Sequence, residues 1–347
     1  MAKRQKLNKG QQRRVRANQK KRLQQDTVEW QSDQLGPLQQ GRVVSRYGQH
    51  ADVLTEDQKC VRTHIRRNIE SLVCGDIVGW RPATVEQQGM QGVIEVVHER
   101  ESLLSRPDYY DGLKPVAANI EQIFVVSSLL PAFSSQIIDR YIVACEDIGI
   151  EPILVVNKID LMDELSAEQQ QLIDDCLAVY QNIGYQVIKV SSQSGAGLAK
   201  LQQALKDHTS AFVGQSGVGK SSLINQILPE VEAPTQIVSE NSGLGQHTTT
   251  VATWYPLPQG GAVIDSPGVR EFALWHLAEE RVAWCYVDFR EYLGHCKFRD
   301  CKHRDDPGCS LQQAVAAKEL PAWRLDNYHR IIETMASQRP SRAVRGN

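Results

Sequence analysis

The spacing of apolar positions changes character twice along this chain. Residues 1–36 are polar, rich in Gln and Arg and nearly free of aromatics. Such a composition cannot bury enough apolar surface to pay for ordering, so this stretch reads as a flexible arm. From Gly41 to about Val97 the pattern becomes short β-like runs between turn residues: Gly41–Gly48, Asp52–Leu54, Asp76–Trp80 and Gly92–Val97. Several strands in about 60 residues predict a small closed barrel. A five-stranded nucleic-acid-binding barrel and a barrel without ligand both fit that pattern.

From about Asn119 apolar runs of strand length alternate with helical stretches. The runs Ile120–Ser127, Ile153–Val156, Tyr185–Val190, Ala211–Val213 and Gly261–Ile264 predict buried parallel strands. Ser134–Ile148, Ser166–Ile183, Leu198–Lys206 and Lys220–Ile227 predict the helices that cover them. The last region, from about Ala278, is helix-rich and carries a Cys/His cluster, and no internal repeat is present.

Composition narrows the class. At 41% hydrophobic and 23% charged, the 347 residues suit a soluble protein with real cores. No apolar run approaches the roughly 20 residues needed to span a bilayer, which argues against a membrane role. The N-terminus lacks the apolar stretch of a secretory signal, so a cytoplasmic location is expected. There, eight cysteines point to thiols or metal rather than disulfides. Charge is unevenly spread. Residues 1–25 hold ten Lys or Arg and no acid, so with a net charge of −2 the remainder carries −12. A basic arm on an acidic body suits a polyanion partner, and a solvated tail with no partner suits it about as well.

Candidate chemistry begins with Gly214-Gln215-Ser216-Gly217-Val218-Gly219-Lys220-Ser221, followed by Ser222. It lies between the apolar run Ala211–Val213 and the helical Ser222–Asn225, the strand–loop–helix setting that a phosphate loop requires. Glycines let successive backbone N–H groups turn inward around phosphate oxygens, and the helix N-terminus adds partial positive charge. Lys220 is assigned to the β- and γ-phosphates and the Ser221 hydroxyl to Mg²⁺.

Asn157-Lys158-Ile159-Asp160 reads as a guanine-recognition loop. A carboxylate at Asp160 accepts from both N1–H and the exocyclic amine of guanine, a pattern adenine cannot offer. Asn157 is placed near the base edge and the Lys158 stem over one ring face. Ser191-Ser192 sits where a loop donates backbone N–H to guanine O6. An Asx turn capping a helix also fits Asn157–Asp160, and it loses because a phosphate loop lies in the same sheet. The guanine loop precedes the phosphate loop, the reverse of the ordinary order, which predicts a circularly permuted domain.

Asp265-Ser266-Pro267-Gly268 supplies a carboxylate for the Mg²⁺ shell and a Gly268 N–H for the γ-phosphate. Ser239–Thr250 is a polar, Gly-rich loop that suits a segment ordered by γ-phosphate and Mg²⁺. Thr249 is assigned to Mg²⁺, with Thr248 the close alternative. Val269 stands where many small GTPases carry the Gln that orients water. His247 is the nearest polar candidate for that catalytic role, against a plain surface histidine. Asp265–Gly268 is also the last nucleotide element before the Cys/His region, so a change there is expected to pull on that region.

Cys296, Cys301, His303 and Cys309 gather three thiolates and one imidazole within 14 residues, a set that matches one structural, tetrahedral zinc site. The basic residues between them, Lys297, Arg299, Lys302 and Arg304, suit either thiolate compensation or phosphate contact. Cys60, Cys74, Cys145 and Cys176 read as plain core residues.

These elements together resemble one family, the bacterial small-ribosomal-subunit-dependent GTPases known as RsgA or YjeQ. The resemblance runs from about residue 37 to the end. It rests on the barrel, on the permuted order Asn157–Asp160, Ser191-Ser192, Gly214–Ser222, Gly245–Thr250 and Asp265–Gly268, and on the Cys3His cluster. It implies an oligonucleotide-binding barrel, a catalytic switch-loop histidine and GTP hydrolysis to GDP and phosphate. It further implies stimulation by the 30S subunit late in its maturation, and contact with 16S rRNA. The expected division is therefore multidomain α/β. A basic arm spans 1–36, an oligonucleotide-binding-type barrel 37–112, a permuted phosphate-loop GTPase domain with helices on both faces of a parallel sheet 113–275, and a zinc-binding helical domain 276–347. Nothing in the sequence demands more than a monomer. An RNA-binding zinc scaffold with nucleotide as a structural ligand is the alternative from another class, and an ATP-using kinase or ATPase is disfavoured by Asp160.

Overall fold

The structure is a computed structural model that describes residues 30, 32–87, 89–108, 112–228, 252–265, 274 and 276–338. Its first layer is a closed barrel of β1 (Gln39–Tyr47), β2 (His50–Thr55), β3 (Cys60–Ile65), β4 (Ile77–Gln87) and β5 (Met90–Val97). The strands follow the order β1-β2-β3-β5-β4, and β4 pairs back with β1. Val43, Ala51, Val53, Ile65, Leu72, Val78, Trp80 and Ile94 fill the interior. β3 was not expected from the hydropathy pattern because its buried residues include Thr63 and His64. Thr63 is tolerated inside because its hydroxyl donates to the Ala51 carbonyl at 2.9 Å.

A hairpin of β6 (Leu103–Asp108) and β7 (Gly112–Ala118) leads out of the barrel. It spans the expected boundary at 112/113, and its Leu104 and Ala117 pack into the core of the next layer.

That layer is a six-stranded sheet in the order β10-β9-β8-β11-β13-β12. β8 (Gln122–Ser128), β9 (Glu151–Asn157), β10 (Gln186–Lys189), β11 (Thr209–Val213) and β13 (Ala262–Asp265) run parallel. β12 (Thr253–Pro256) runs antiparallel at the edge, an element the sequence pattern did not reveal. Alternation sets the two faces: Phe124 and Val126 meet α3 (Leu198–Leu205) and α4 (Lys220–Ile227), while Ile123 and Val125 lie under α1 (Ser135–Ile148). α2 (Ala167–Ile183) opens with a capping box, in which the Ser166 hydroxyl accepts from Gln169 N and the Gln169 side chain accepts from Ser166 N. The barrel rests on the edge strand. Ser45 Oγ donates to Thr253 Oγ1 at 3.1 Å, and the Arg42 guanidinium lies 5.4 Å from the Trp254 ring.

The C-terminal region contributes α5 (Glu279–Cys285), a short 3-10 turn at Val287–Phe289, α6 (Ser310–Ala316) and α7 (Ala322–Gln338). It shares one apolar core with α1. Within that core Arg324 of α7 is fully buried. Its guanidinium forks onto Asp288 at 2.9 and 2.6 Å, donates to Asp139 of α1, and lies 4.4 Å from the Tyr286 ring. Asp139 also accepts from Tyr180 Oη at 2.6 Å and Asn327 Nδ2 at 2.7 Å. The buried charges are thus paired and hydrogen-bonded, the condition under which the interior tolerates them. No helix among the described residues is long and apolar enough to cross a membrane.

Candidate nucleotide site

The parallel strands deliver their carboxyl ends to one edge of the sheet, where loops can converge on a ligand. β9 ends in Asn157, β10 runs into Ser191-Ser192, β11 into the phosphate loop, and β13 ends at Asp265. The four expected elements therefore meet although they are far apart in the chain.

Asn157 is the strut between three of them. Its side chain is fully buried; Nδ2 donates to Val218 O at 2.9 Å and Oδ1 accepts from Ser192 N at 3.1 Å. The sequence reading put this side chain at the base edge, whereas the fold spends it on loop-to-loop contacts. Lys158, with φ of 63°, turns its ammonium onto Leu130 O at 2.5 Å and Gly217 O at 2.7 Å. Its stem thereby spans the guanine and phosphate loops. Asp160 stands at the surface and accepts from Ser191 Oγ. Ser191 Oγ also accepts from Gln193 N and Ser194 N, which fixes the loop that carries Ser192. The carboxylate is thus oriented and exposed.

In the phosphate loop, Gly214 and Gly219 are dictated by close approach. A Cβ at Gly214 would lie 2.2 Å from Val126 O, and one at Gly219 2.3 Å from Asn157 Nδ2, with φ of 144° and 92°. Lys220 opens α4 and donates to Gly214 O at 2.6 Å and Gln215 O at 2.5 Å, so its ammonium sits within the loop. Gln215, Ser216 and Gly217 are exposed, Val218 is buried, and Ser221 and Ser222 are exposed on the first turn of α4. Asp265 is half-buried at the end of β13. His247, Thr248, Thr249 and Gly268 lie outside the described residues, as does the Ser266–Gly268 connection toward the C-terminal region.

The second cluster also assembles. Sγ of Cys296, Cys301 and Cys309 lies 3.6, 3.6 and 3.5 Å from His303 Nδ1. A tetrahedron with Zn–S of about 2.3 Å and Zn–N of about 2.0–2.1 Å has S···N edges of about 3.6 Å, so the residues fit zinc. Ser310 supports the site by touching Cys296 Sγ with Oγ at 3.1 Å and N at 3.5 Å. Burial lowers the His303 pKa, which favours the neutral imidazole that binds metal. Two of the basic residues between the ligands are already engaged, Lys302 with Glu279 at 3.4 Å and Arg304 with Glu333 at 2.8 Å. The remaining five cysteines are packing residues: Cys74, Cys145 and Cys285 are buried, while Cys60 and Cys176 are half-buried with pKa pushed up by burial to about 11 and 12.

Comparison with known proteins decides the family. A family model described as RsgA GTPase matches residues 97–275. A relative from Shewanella oneidensis is 56% identical over 99% of both chains, and one from Photorhabdus laumondii is 54% identical over 99% of this chain and 98% of its own. Both are called small ribosomal subunit biogenesis GTPase RsgA. The chain belongs to the RsgA GTPase family. Two solved structures share the architecture. YjeQ from Thermotoga maritima has a TM-score of 0.69 and 29% identity, covering 87% of this chain and 100% of its own. YloQ, described as a circularly permuted GTPase, has a TM-score of 0.67 and 28% identity, covering 90% of this chain and 99% of its own.

What the sequence did not reveal within this RsgA architecture is the support behind the loops. The Leu130 carbonyl that receives Lys158 carries no side-chain signature. The Asp139–Arg324 pair did leave a trace, an acid on the apolar stripe Ile138, Tyr141, Ile142, Cys145 of α1. A carboxylate at such a position calls for a buried partner.

Proposed function

We propose that this chain hydrolyses GTP to GDP and phosphate and does so as a timing device in the biogenesis of the small ribosomal subunit. The observation that carries the reading is the buried Asn157 side chain, which ties the guanine loop, Ser191-Ser192 and the phosphate loop into one site at the sheet edge. In this reading Asp160 reads the base, and the Ser191-Ser192 loop, whose Ser192 N is held by Asn157 Oδ1 and whose Ser191 Oγ donates to Asp160, lines the base side of the site. The backbone N–H groups of residues 214–222 and the Lys220 ammonium hold the phosphates. Ser221, Asp265 and Thr249 hold Mg²⁺, which supplies charge neutralisation at the β- and γ-phosphates. His247 orients the attacking water, and Gly268 N–H meets the γ-phosphate.

Further parts of the proposal concern partners. The five-stranded barrel order supports an oligonucleotide-binding role for residues 37–112, and the basic arm adds sequence-independent attraction to 16S rRNA. One Zn²⁺ on Cys296, Cys301, His303 and Cys309 stiffens the domain at 276–347, and the protein works as a cytoplasmic monomer. Steady-state hydrolysis with GTP and ATP tests the enzyme. Slow GTP turnover, no ATP turnover, and a switch toward xanthosine triphosphate in Asp160→Asn are expected. GTP bound without any turnover would favour the scaffold alternative.

A further inference from the structure

Among the described residues two aromatic side chains are exposed, Trp284 at 49% and Phe298 at 47%. Each has a cation over its ring: Arg290 lies 5.3 Å from the Trp284 centroid and Lys297 5.4 Å from that of Phe298. Their charge surroundings differ. The Arg290 guanidinium is occupied, donating to Trp284 O and to Glu146 Oε2, both at 2.8 Å, and neighbouring Arg281 is paired with Asp147. No spare positive charge is left there for an anionic partner.

At Phe298 the balance is reversed. Lys302 and Arg304, elsewhere in the same loop, are neutralised by Glu279 and Glu333. Lys297 and Arg299, the sequence neighbours of Phe298, are exposed and make no ion pair among the described residues. Asp306 faces its own turn, accepting from Lys302 N and Arg304 N, while Asp300 and Asp305 pair with neither cation. The backbone on either side of the ring is also tied. Cys296 and Cys301 anchor the loop on both sides, Lys297 N donates to Gly308 O at 3.0 Å, and Cys301 N donates to Phe298 O at 3.4 Å.

A lone exposed hydrophobe needs no explanation. An exposed aromatic flanked in sequence by two cations without an acidic partner is different, because the ring face away from Lys297 suits a planar base and the two cations suit the adjoining phosphates. Bases in a duplex are already stacked, which selects an unpaired strand. We infer that Lys297, Phe298 and Arg299 form a stacking platform for an unpaired RNA base. The inference rests on the ribosomal reading above, since that reading supplies RNA as the partner.

The test uses the full-length, zinc-containing protein and a single-stranded RNA 12-mer carrying 5-iodouracil. Irradiation followed by mass spectrometry is expected to map a crosslink to Phe298, absent with a duplex of the same sequence. Phe298→Ala should weaken binding of the single strand about ten-fold while zinc content stays at one per chain, and Phe298→Tyr should restore it. Lys297→Ala with Arg299→Ala should lower the slope of log affinity against log salt by about 1.4, at about 0.7 per phosphate contact. A Phe298→Ala variant that binds like the wild type, or a Phe298→Tyr variant as weak as Ala, overturns the platform. A wild-type GTPase indifferent to ribosomal subunits would instead sink the ribosomal reading, because the crosslink is read on free RNA.

Discussion

The nucleotide edge of the sheet and the metal loop are both assembled from short loops, yet they are made rigid by different means. At the sheet edge the chain does the work itself. Asn157, Lys158 and Ser191 send side-chain hydrogen bonds across loops that lie up to 61 residues apart. Around the metal loop the side-chain bonds, such as Gln312 Nε2 to the His303 and Arg304 carbonyls, frame a point where four ligand groups converge within 4.8 Å of one another. The first kind of site survives loss of a metal and fails through a single strut. The second fails with its ion and tolerates changes between its ligands.

The largest expected contrast comes from removing the metal. Cys309→Ser, or a strong chelator, should abolish zinc content and forfeit on the order of 10 kcal/mol of metal-linked folding free energy in the 296–309 loop. GTP affinity should stay within about three-fold, as measured by fluorescent nucleotide titration; a collapse of nucleotide binding would mean the two regions share their support.

The hinge between the regions is the next place to press. Arg324→Met leaves Asp139 and Asp288 as buried carboxylates without their cation, at a cost of about 3–5 kcal/mol. Differential scanning calorimetry should show a fall in Tm of several degrees or more. Unchanged melting would show that α7 is held by its apolar face alone.

Asn157→Ala sharpens the claim that the nucleotide edge is self-supported. It deletes one buried and one part-buried hydrogen bond of about 1–1.5 kcal/mol each, so Tm should fall by a few degrees while GTP affinity, which needs the loops tied together, should fall about 30- to 100-fold. Equal losses in both would make Asn157 a general core residue. The smallest effect belongs to the surface: Lys302→Met removes a solvent-exposed ion pair with Glu279 and should cost under about 1 kcal/mol. A larger loss would show that the metal loop leans on its charges.

Much of this arrangement was legible in the sequence because motif chemistry and strand periodicity agree there. Gly214 and Gly219 were read as freeing backbone N–H groups to turn inward, and the structure adds a second reason for them, the close approach of Val126 O and the Asn157 amide. Lys220–Ile227 forms the expected helix, and the Ser166–Gln169 pair marks a helix start. What stayed hidden was long-range or polar. β3 buries Thr63 and His64, so no apolar run announces it. β12 is four residues long and owes its place to pairing with β13. The buried, bridging place of Asn157 depends on Val218 lying across the sheet edge, which no local pattern announces.

The most direct test of the account is GTP turnover by the full-length protein with and without purified small ribosomal subunits. The account predicts a slow basal rate that rises strongly with small subunits and falls back in His247→Ala while GTP affinity is kept. Turnover that ignores the subunit, at any concentration able to bind it, would contradict it.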